Sequence, residues 1–167
     1  MALPKTLSEK ACVAARLASW SYIDDSNTRG SLVKKQLGQG TTSKLVAINN
    51  AECLIVKAPS QLWIAFRGTQ PTQLNDIKAD LDLFKEKSES AGEVHGGFKQ
   101  EVDELWEEVI KELNHNEKLK KPRTVYFCGH SLGGAMATIA AARYIKTEAL
   151  FTFGSPRVGG KVFVNTC

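Results

Sequence analysis

One serine in the 167-residue chain lies in a pattern that supports nucleophilic catalysis. Residues 129–133 read Gly-His-Ser-Leu-Gly, which places Ser131 between two glycines. A serine on a sharp strand-to-helix turn has strained backbone angles and presents its hydroxyl group to a substrate. Gly129 and Gly133 carry no Cβ atom, so such a turn can close without a clash. The pattern predicts a nucleophilic Ser131, and the alternative is a glycine-rich turn whose serine has no catalytic role.

The residues on either side of this pattern fit the elements that such a turn requires. Residues 124–128 are β-branched and aromatic, which predicts a buried strand. Residues 135–146 are rich in alanine and contain no glycine or proline, which predicts a helix. The amino terminus of that helix would face Ser131, where its free N–H groups favour negative charge. This context favours the nucleophile over the idle turn.

The rest of the chain predicts a layered α/β fold. Three strand-like runs separated by short turns predict an antiparallel meander, and a further strand follows the helix after Ser131. Strands that alternate with helices predict parallel central strands, with a site at their carboxyl ends. The predicted helices cover residues 8–22 and a long stretch from Phe98 to the asparagines at 114 and 116, and the predicted strands cover 44–48, 53–57, 62–66 and 149–153.

Three segments are predicted to lack regular structure or are left open. Residues 24–40 are polar and contain glycine, which predicts a loop with a short helical piece. Residues 85–93 are predicted to form a polar loop. Residues 70–84 carry apolar side chains at helical spacing, which fits either a mobile lid or an amphipathic helix on the core.

Composition and charge limit the class of protein. A hydrophobic content of 43% and a charged content of 24% are those of a soluble globular protein, here one domain over residues 1–167. The net charge of +4 is mild and predicts no nucleic-acid partner. Four cysteines without a C-x-x-C pair predict no metal site, and no cofactor is indicated. The absence of a signal-like or membrane-length apolar run predicts a cytoplasmic location without a transmembrane segment.

Four motifs in order give a more specific indication. They are Phe-Arg-Gly-Thr at 66–69, Val-His-Gly-Gly-Phe at 94–98, Gly-His-Ser-Leu-Gly-Gly-Ala at 129–135 and Thr-Phe-Gly-Ser-Pro-Arg-Val-Gly at 152–159. Together they resemble the class 3 (fungal-type) lipase family of the α/β-hydrolase fold, over residues 45–164. The resemblance implies hydrolysis of lipid esters such as acylglycerols, at a lipid–water interface. The oligomeric state stays open.

The resemblance also assigns roles to individual residues. Ser131 matches the family's nucleophile. Thr69 matches the position that supplies one donor of the oxyanion hole, and the backbone N–H of Leu132 matches the other. These are the places where such donors arise in this kind of fold, one after the nucleophile and one on an early strand-end loop. Residues 76–81 are similar to the family's lid segment, which favours the lid interpretation of this region.

The partners that would activate Ser131 are missing from the predicted site. A serine nucleophile needs a histidine held by a carboxylate, and in this fold both follow the serine along the chain. After Ser131 the sequence contains no histidine and no aspartate, and Glu148 precedes the last predicted strand, at the wrong end of the sheet. We expect the chain to stop before the family's acid and base, and residues 1–167 alone to show little or no catalysis.

Several alternatives to a complete catalytic triad follow. A substitute base would have to be one of three histidines. The side chain of His130 should point away from that of its neighbour Ser131, and the resemblance gives His95 a structural role. His115 lies at the far end of the long predicted helix. A second chain could supply the acid and base. The chain could also be a module without turnover that binds lipid or a partner.

Overall fold

The computed structural model describes residues 3–68, 85–88 and 92–165. Within these residues the helices are α1 (Leu7–Trp20), α2 (Ser26–Leu37), α3 (Gly96–Glu117), α4 (Leu132–Arg143) and α5 (Lys161–Val164). The strands are β1 (Thr42–Ile48), β2 (Ala51–Lys57), β3 (Gln61–Phe66), β4 (Lys85–Lys87), β5 (Glu93–His95), β6 (Thr124–His130) and β7 (Thr147–Phe153).

The main sheet confirms the predicted α/β layering. Its strand order is β1-β2-β3-β6-β7. The first three strands form the predicted antiparallel meander, and β3, β6 and β7 run parallel to one another. The parallel strands therefore end at a common edge, which carries Phe66, His130 and Phe153.

Helices cover both faces of the sheet, so the central strands β2, β3 and β6 are buried from both sides. Helices α1 and α2 pack on one face, and α3 and α4 pack on the other. Strand β3 shows the consequence, because every one of its residues is buried. Side chains alternate between the two faces of a strand, so a strand covered on both faces is a continuous apolar run. Leu62, Ile64 and Phe66 face α3 and α4, whereas Trp63 and Ala65 face α1 and α2.

The long helix α3 follows the predicted apolar stripe but ends differently. It continues through Asn116 to Glu117. Asn116 is buried, and its side chain forms two hydrogen bonds of 2.9 Å with the backbone of Arg123, one donated and one accepted. Asn116 therefore does not terminate the helix as predicted. Its amide group fixes the chain just before β6, where the backbone would otherwise lack partners.

The prediction of a loop with a short helical piece over residues 24–40 understates the helix. This segment contains the twelve-residue helix α2. Asp25 caps it, since its carboxylate accepts the N–H of Thr28 at 2.8 Å, and Gly38 ends it with a φ of 89°. Only Val33 and Leu37 supply a buried apolar side, so the pattern was too sparse to indicate a helix of this length.

Two further boundaries differ from the sequence prediction. Residues 85–93 contain β4, which pairs antiparallel with β5, rather than only a polar loop. Helix α4 begins at Leu132 and ends at Arg143, three residues earlier at each end than predicted. Glycines at 133 and 134 delayed the predicted start, because glycine has low helix propensity.

Glu101 on α3 is expected to make stability depend on pH. Burial, with a smaller contribution from Glu104, raises the pKa of Glu101 to about 7. A carboxyl whose folded pKa lies above its unfolded value opposes folding once it ionises, so stability falls as pH rises from about 4.5 to about 7. We expect Glu101→Gln to be more stable than the parent by about 1 kcal/mol at pH 8, after allowance for solvent screening.

Urea unfolding at pH 4.5 and pH 8 measures this effect. The advantage of Glu101→Gln should be much smaller at pH 4.5, where the parent carboxyl is protonated in the folded state and only about half ionised in the unfolded state. Glu107→Gln, at an exposed position on the same helix, is the matched control and should show no such gain. An advantage of equal size at both pH values would contradict the prediction.

Candidate active site

Ser131 forms the turn between β6 and α4, as the sequence predicts. Its φ of 55° and ψ of −128° lie in a region that favours glycine. Such a conformation costs on the order of 1–3 kcal/mol and persists only where neighbouring groups hold it. The N–H of Ser131 donates to the carbonyl of Phe153 at 2.9 Å, and its carbonyl accepts the N–H of Gly134 at 2.9 Å. The Ser131 side chain does not cap α4, so its hydroxyl is not used by the helix end.

Two glycines allow the turn to close tightly. A Cβ atom at Gly129 would lie 2.1 Å from the carbonyl oxygen of Gly133. A Cβ atom at Gly133 would lie 2.2 Å from the carbonyl oxygen of Phe66. Both neighbours are backbone atoms, which no rotamer change can move away. The first turn of α4 therefore sits directly against β6 and the carboxyl end of β3.

Of the two predicted oxyanion donors, the structure describes Leu132 but not Thr69. Leu132 is the first residue of α4, so its backbone N–H has no acceptor within the helix and lies at the positive end of the helix dipole. Thr69 lies outside the described residues. Its neighbour Gly68 packs on the turn, because a Cβ atom there would lie 2.7 Å from the carbonyl oxygen of His130 and 3.2 Å from the amide nitrogen of Gly133. The end of β3 thus meets the start of α4 beside Ser131.

A polar network next to the end of β3 was not predicted from the sequence. Arg67 donates from Nη1 to the carboxylates of Asp24 at 2.8 Å and Glu52 at 2.6 Å. Burial opposes the charge of Arg67, but these hydrogen bonds outweigh it and raise its pKa. The guanidinium also lies 5.3 Å from the ring centroid of Tyr22, whose hydroxyl accepts the Gly68 N–H at 3.0 Å. The available signal was an arginine directly after a predicted buried strand, because a guanidinium at such a position requires acidic partners.

The fold brings the four sequence motifs together. The first and third meet where Gly133 packs on Phe66. The motif at 129–135 meets the motif at 152–159 through the backbone hydrogen bond between Ser131 and Phe153. The same two motifs also meet where Gly134 packs on Ser155. The second and fourth meet at an isolated β-bridge between Val94 and Gly159.

The three histidines and Glu148 occupy different surroundings. His130 is exposed, and its imidazole lies beside Gly154, where a Cβ atom would be 3.7 Å from Nε2. His95 precedes α3, and its ring centroid lies 4.3 Å from that of Phe98. His115 is exposed in the last turn of α3. Glu148 lies near the amino end of β7, opposite to the end that contacts Ser131, and pairs with Lys10 at 3.9 Å.

Some predictions concern parts of the chain that cannot be compared with the structure. The lid predicted over residues 70–84, including 76–81, lies outside the described residues.

Within the described ranges, no group of three or more histidine, cysteine, aspartate or glutamate side chains is arranged to hold a metal ion. None of the helices in those ranges combines the length and the hydropathy needed to cross a bilayer.

Known proteins resemble this chain in sequence. A secreted mono- and diacylglycerol lipase 1 of Fusarium solani is 42% identical over 80 residues, which cover 43% of this chain and 22% of that protein. The secreted mono- and diacylglycerol lipase LIP4 of Malassezia restricta is 31% identical over 140 residues, covering 77% of this chain and 45% of its own length. The chain thus spans less than half of each of these relatives.

A solved structure resembles the fold. The native propeptide complex of Rhizomucor miehei lipase superposes with a TM-score of 0.75 over 97% of this chain and 58% of that chain, at 23% identity. At this identity the likeness shows the fold alone. The fold is therefore that of the fungal lipases, an α/β-hydrolase fold, as the resemblance implied.

The prediction of a cytoplasmic location is wrong. It rested on the lack of a signal-like segment in these 167 residues. The Fusarium and Malassezia relatives are secreted lipases, and this finding overturns the prediction.

A family of known proteins matches more than half of this chain, including the candidate active site. The family described as lipase (class 3) matches residues 63–167, which is more than half of the chain. The matched region contains the turn at Ser131, the end of β3 and the loop after β7. The chain therefore belongs to the class 3 lipase family.

Proposed function

We propose that the protein hydrolyses lipid carboxylic esters, with acylglycerols as the substrate class and Ser131 as the nucleophile. The observation that carries the proposal is the conformation of Ser131, which is strained at a φ of 55° between β6 and α4. This is the geometry that leaves a serine hydroxyl accessible beside a helix amino terminus. The mono- and diacylglycerol lipases among the relatives support the substrate class.

The proposed reaction proceeds through an acyl-enzyme. The Oγ atom of Ser131 attacks the ester carbonyl carbon while a base takes its proton, and the carbonyl oxygen becomes an oxyanion. The backbone N–H of Leu132 and a donor at Thr69 stabilise that oxyanion, each worth on the order of 10²–10³ in rate. Collapse expels the alcohol, which receives the proton, and water then releases the fatty acid by the same steps in reverse order.

The base and its carboxylate partner have no candidate after Ser131 within residues 1–167. We therefore name the nucleophile and the oxyanion donors and assign the base and its carboxylate partner to no residue. The expectation that residues 1–167 alone hydrolyse esters little or not at all stays a prediction. The activity proposed here is that of the protein expressed from its complete reading frame.

Labelling with a fluorophosphonate tests the proposal. The protein from its complete reading frame is treated with the probe, and the modified residue is mapped by peptide mass, with Ser131→Ala alongside. Prompt labelling of the parent at Ser131, together with hydrolysis of a diacylglycerol, is the expected result. A folded protein that is not labelled would refute the proposal and favour a lipid-binding or partner-binding module instead.

A further inference from the structure

The loop between α1 and α2 contacts the candidate active site from behind the sheet. Tyr22 lies in this loop, and its hydroxyl oxygen accepts the backbone N–H of Gly68 at 3.0 Å. Gly68 is the residue that packs on the carbonyl of His130 and the amide nitrogen of Gly133. A Cβ atom at Gly68 would lie 2.8 Å from the Tyr22 hydroxyl, so the tyrosine and the turn both pack closely on this residue.

The position of Tyr22 is itself held by charged groups. Arg67 lies over its ring at 5.3 Å and is anchored to Asp24 and Glu52. Arg29, which is 5% exposed, donates from Nη1 to the carbonyls of Ile23 and Asp24, the latter at 3.2 Å. The loop is thus tied to α2 on one side and to β3 on the other. A hydroxyl on so constrained a ring can hold a backbone N–H in one place.

We propose that Tyr22 is a positioning residue for ester hydrolysis, whose hydroxyl fixes the Gly68 peptide against the turn at Ser131. The inference rests on the proposed function, because the residue after Gly68 is Thr69, the proposed oxyanion donor. Donors in such a site act only where they are aimed at the developing charge before the reaction begins. A peptide released from Tyr22 would occupy several positions, and the rate would fall with the share of misplaced donors.

Tyr22→Phe tests this, because it removes the hydroxyl and keeps the ring beneath Arg67. We expect kcat per labelled Ser131 to fall about tenfold while KM stays within about twofold, since the lost contact acts in the transition state and not on bound substrate. Normalising to the fraction of molecules labelled by fluorophosphonate removes any loss that comes from unfolded protein. The Gly68 amide should also exchange its hydrogen at least about tenfold faster by NMR.

Tyr144→Phe is the matched control. Tyr144 follows α4, roughly 18 Å along the helix from Ser131, and its hydroxyl donates to Glu117 at 2.9 Å. It therefore loses one side-chain hydrogen bond, as Tyr22→Phe does, but away from the site. Its kcat per labelled serine and its Gly68 exchange should match those of the parent.

Three results would overturn the inference. They are an unchanged kcat in Tyr22→Phe, an equal loss of kcat in both variants, and an unchanged exchange rate at Gly68. Failure of the proposed function would give a different result, because Ser131 would then not be labelled in the parent protein. In that case the exchange rate at Gly68 still decides whether the Tyr22 hydroxyl holds this peptide.

Discussion

Ser131→Ala is expected to lower kcat for acylglycerol hydrolysis on the order of 10⁶-fold, because no other group can form the acyl-enzyme. A residual rate of roughly 10³–10⁴ over the uncatalysed reaction should remain, since the oxyanion donors and the substrate-binding surface are unchanged. The melting temperature should stay close to that of the parent. Alanine removes only the hydroxyl, and the backbone bonds of residue 131 to Phe153 and Gly134 do not involve the side chain.

The measurement is the initial rate of fatty acid release by the protein from its complete reading frame, with circular dichroism to confirm folding. Ser31→Ala is the matched control, because Ser31 is an exposed serine on α2. Its rate should equal that of the parent. Retention of more than about one hundredth of the parent rate in Ser131→Ala would rule out Ser131 as the nucleophile, given the size of the loss expected for that role.

Gly133→Ala is expected to reduce both stability and rate. Its Cβ atom would lie 2.2 Å and 2.8 Å from the carbonyl oxygen and carbon of Phe66, and 2.9 Å from the amide nitrogen of Gly68. Because all three are backbone atoms, α4 must move away from β3. We expect the free energy of unfolding to fall by about 3 kcal/mol, the upper part of the range for overpacking. A shift of about 1 Å at Leu132 would also lower kcat about 10²-fold.

Gly30→Ala is the matched control for this change. Gly30 lies inside α2, and a Cβ atom there meets no atom within 4 Å. Alanine should therefore raise the free energy of unfolding by about 0.5–1 kcal/mol, through its higher helix propensity, and leave the rate unchanged. Chemical denaturation and steady-state kinetics of both variants measure the two effects. A Gly133→Ala protein as stable as the parent would show that α4 does not need this close approach to β3.

Local patterns in the sequence were enough to predict much of the fold. Residues 62–66 of β3 form a continuous apolar run because both faces of the strand are buried, and α3 repeats apolar residues with the period of a helix. The turn at Ser131 was predictable because its glycines stand where only glycine fits against the backbone of β3 and α4. Each of these signals is contained in a short stretch of chain, so each can be recognised without knowledge of the rest.

Weak local signals account for the errors. Helix α2 buries few apolar side chains, and its main stabilising features are its cap at Asp25, its end at Gly38 and the packing of its neighbours. The strands β4 and β5 have three residues each and form only as a pair. The prediction of a cytoplasmic location rested on what a stretch of sequence lacks, and the secreted relatives overturned it.

Some residues of the candidate site could be predicted from local sequence, and others could not. Ser131 and Leu132 are adjacent in a motif of seven residues, and their sequence alone established the strand, turn and helix that contain them. Only the tertiary structure decided that Tyr22 and Asp24 belong beside this turn. They contact Gly68 and Arg67 across 46 and 43 residues of chain, with α2, β1, β2 and β3 in between. Contacts of that range depend on the order of strands in the sheet and on packing across both of its faces, which no local period or propensity encodes.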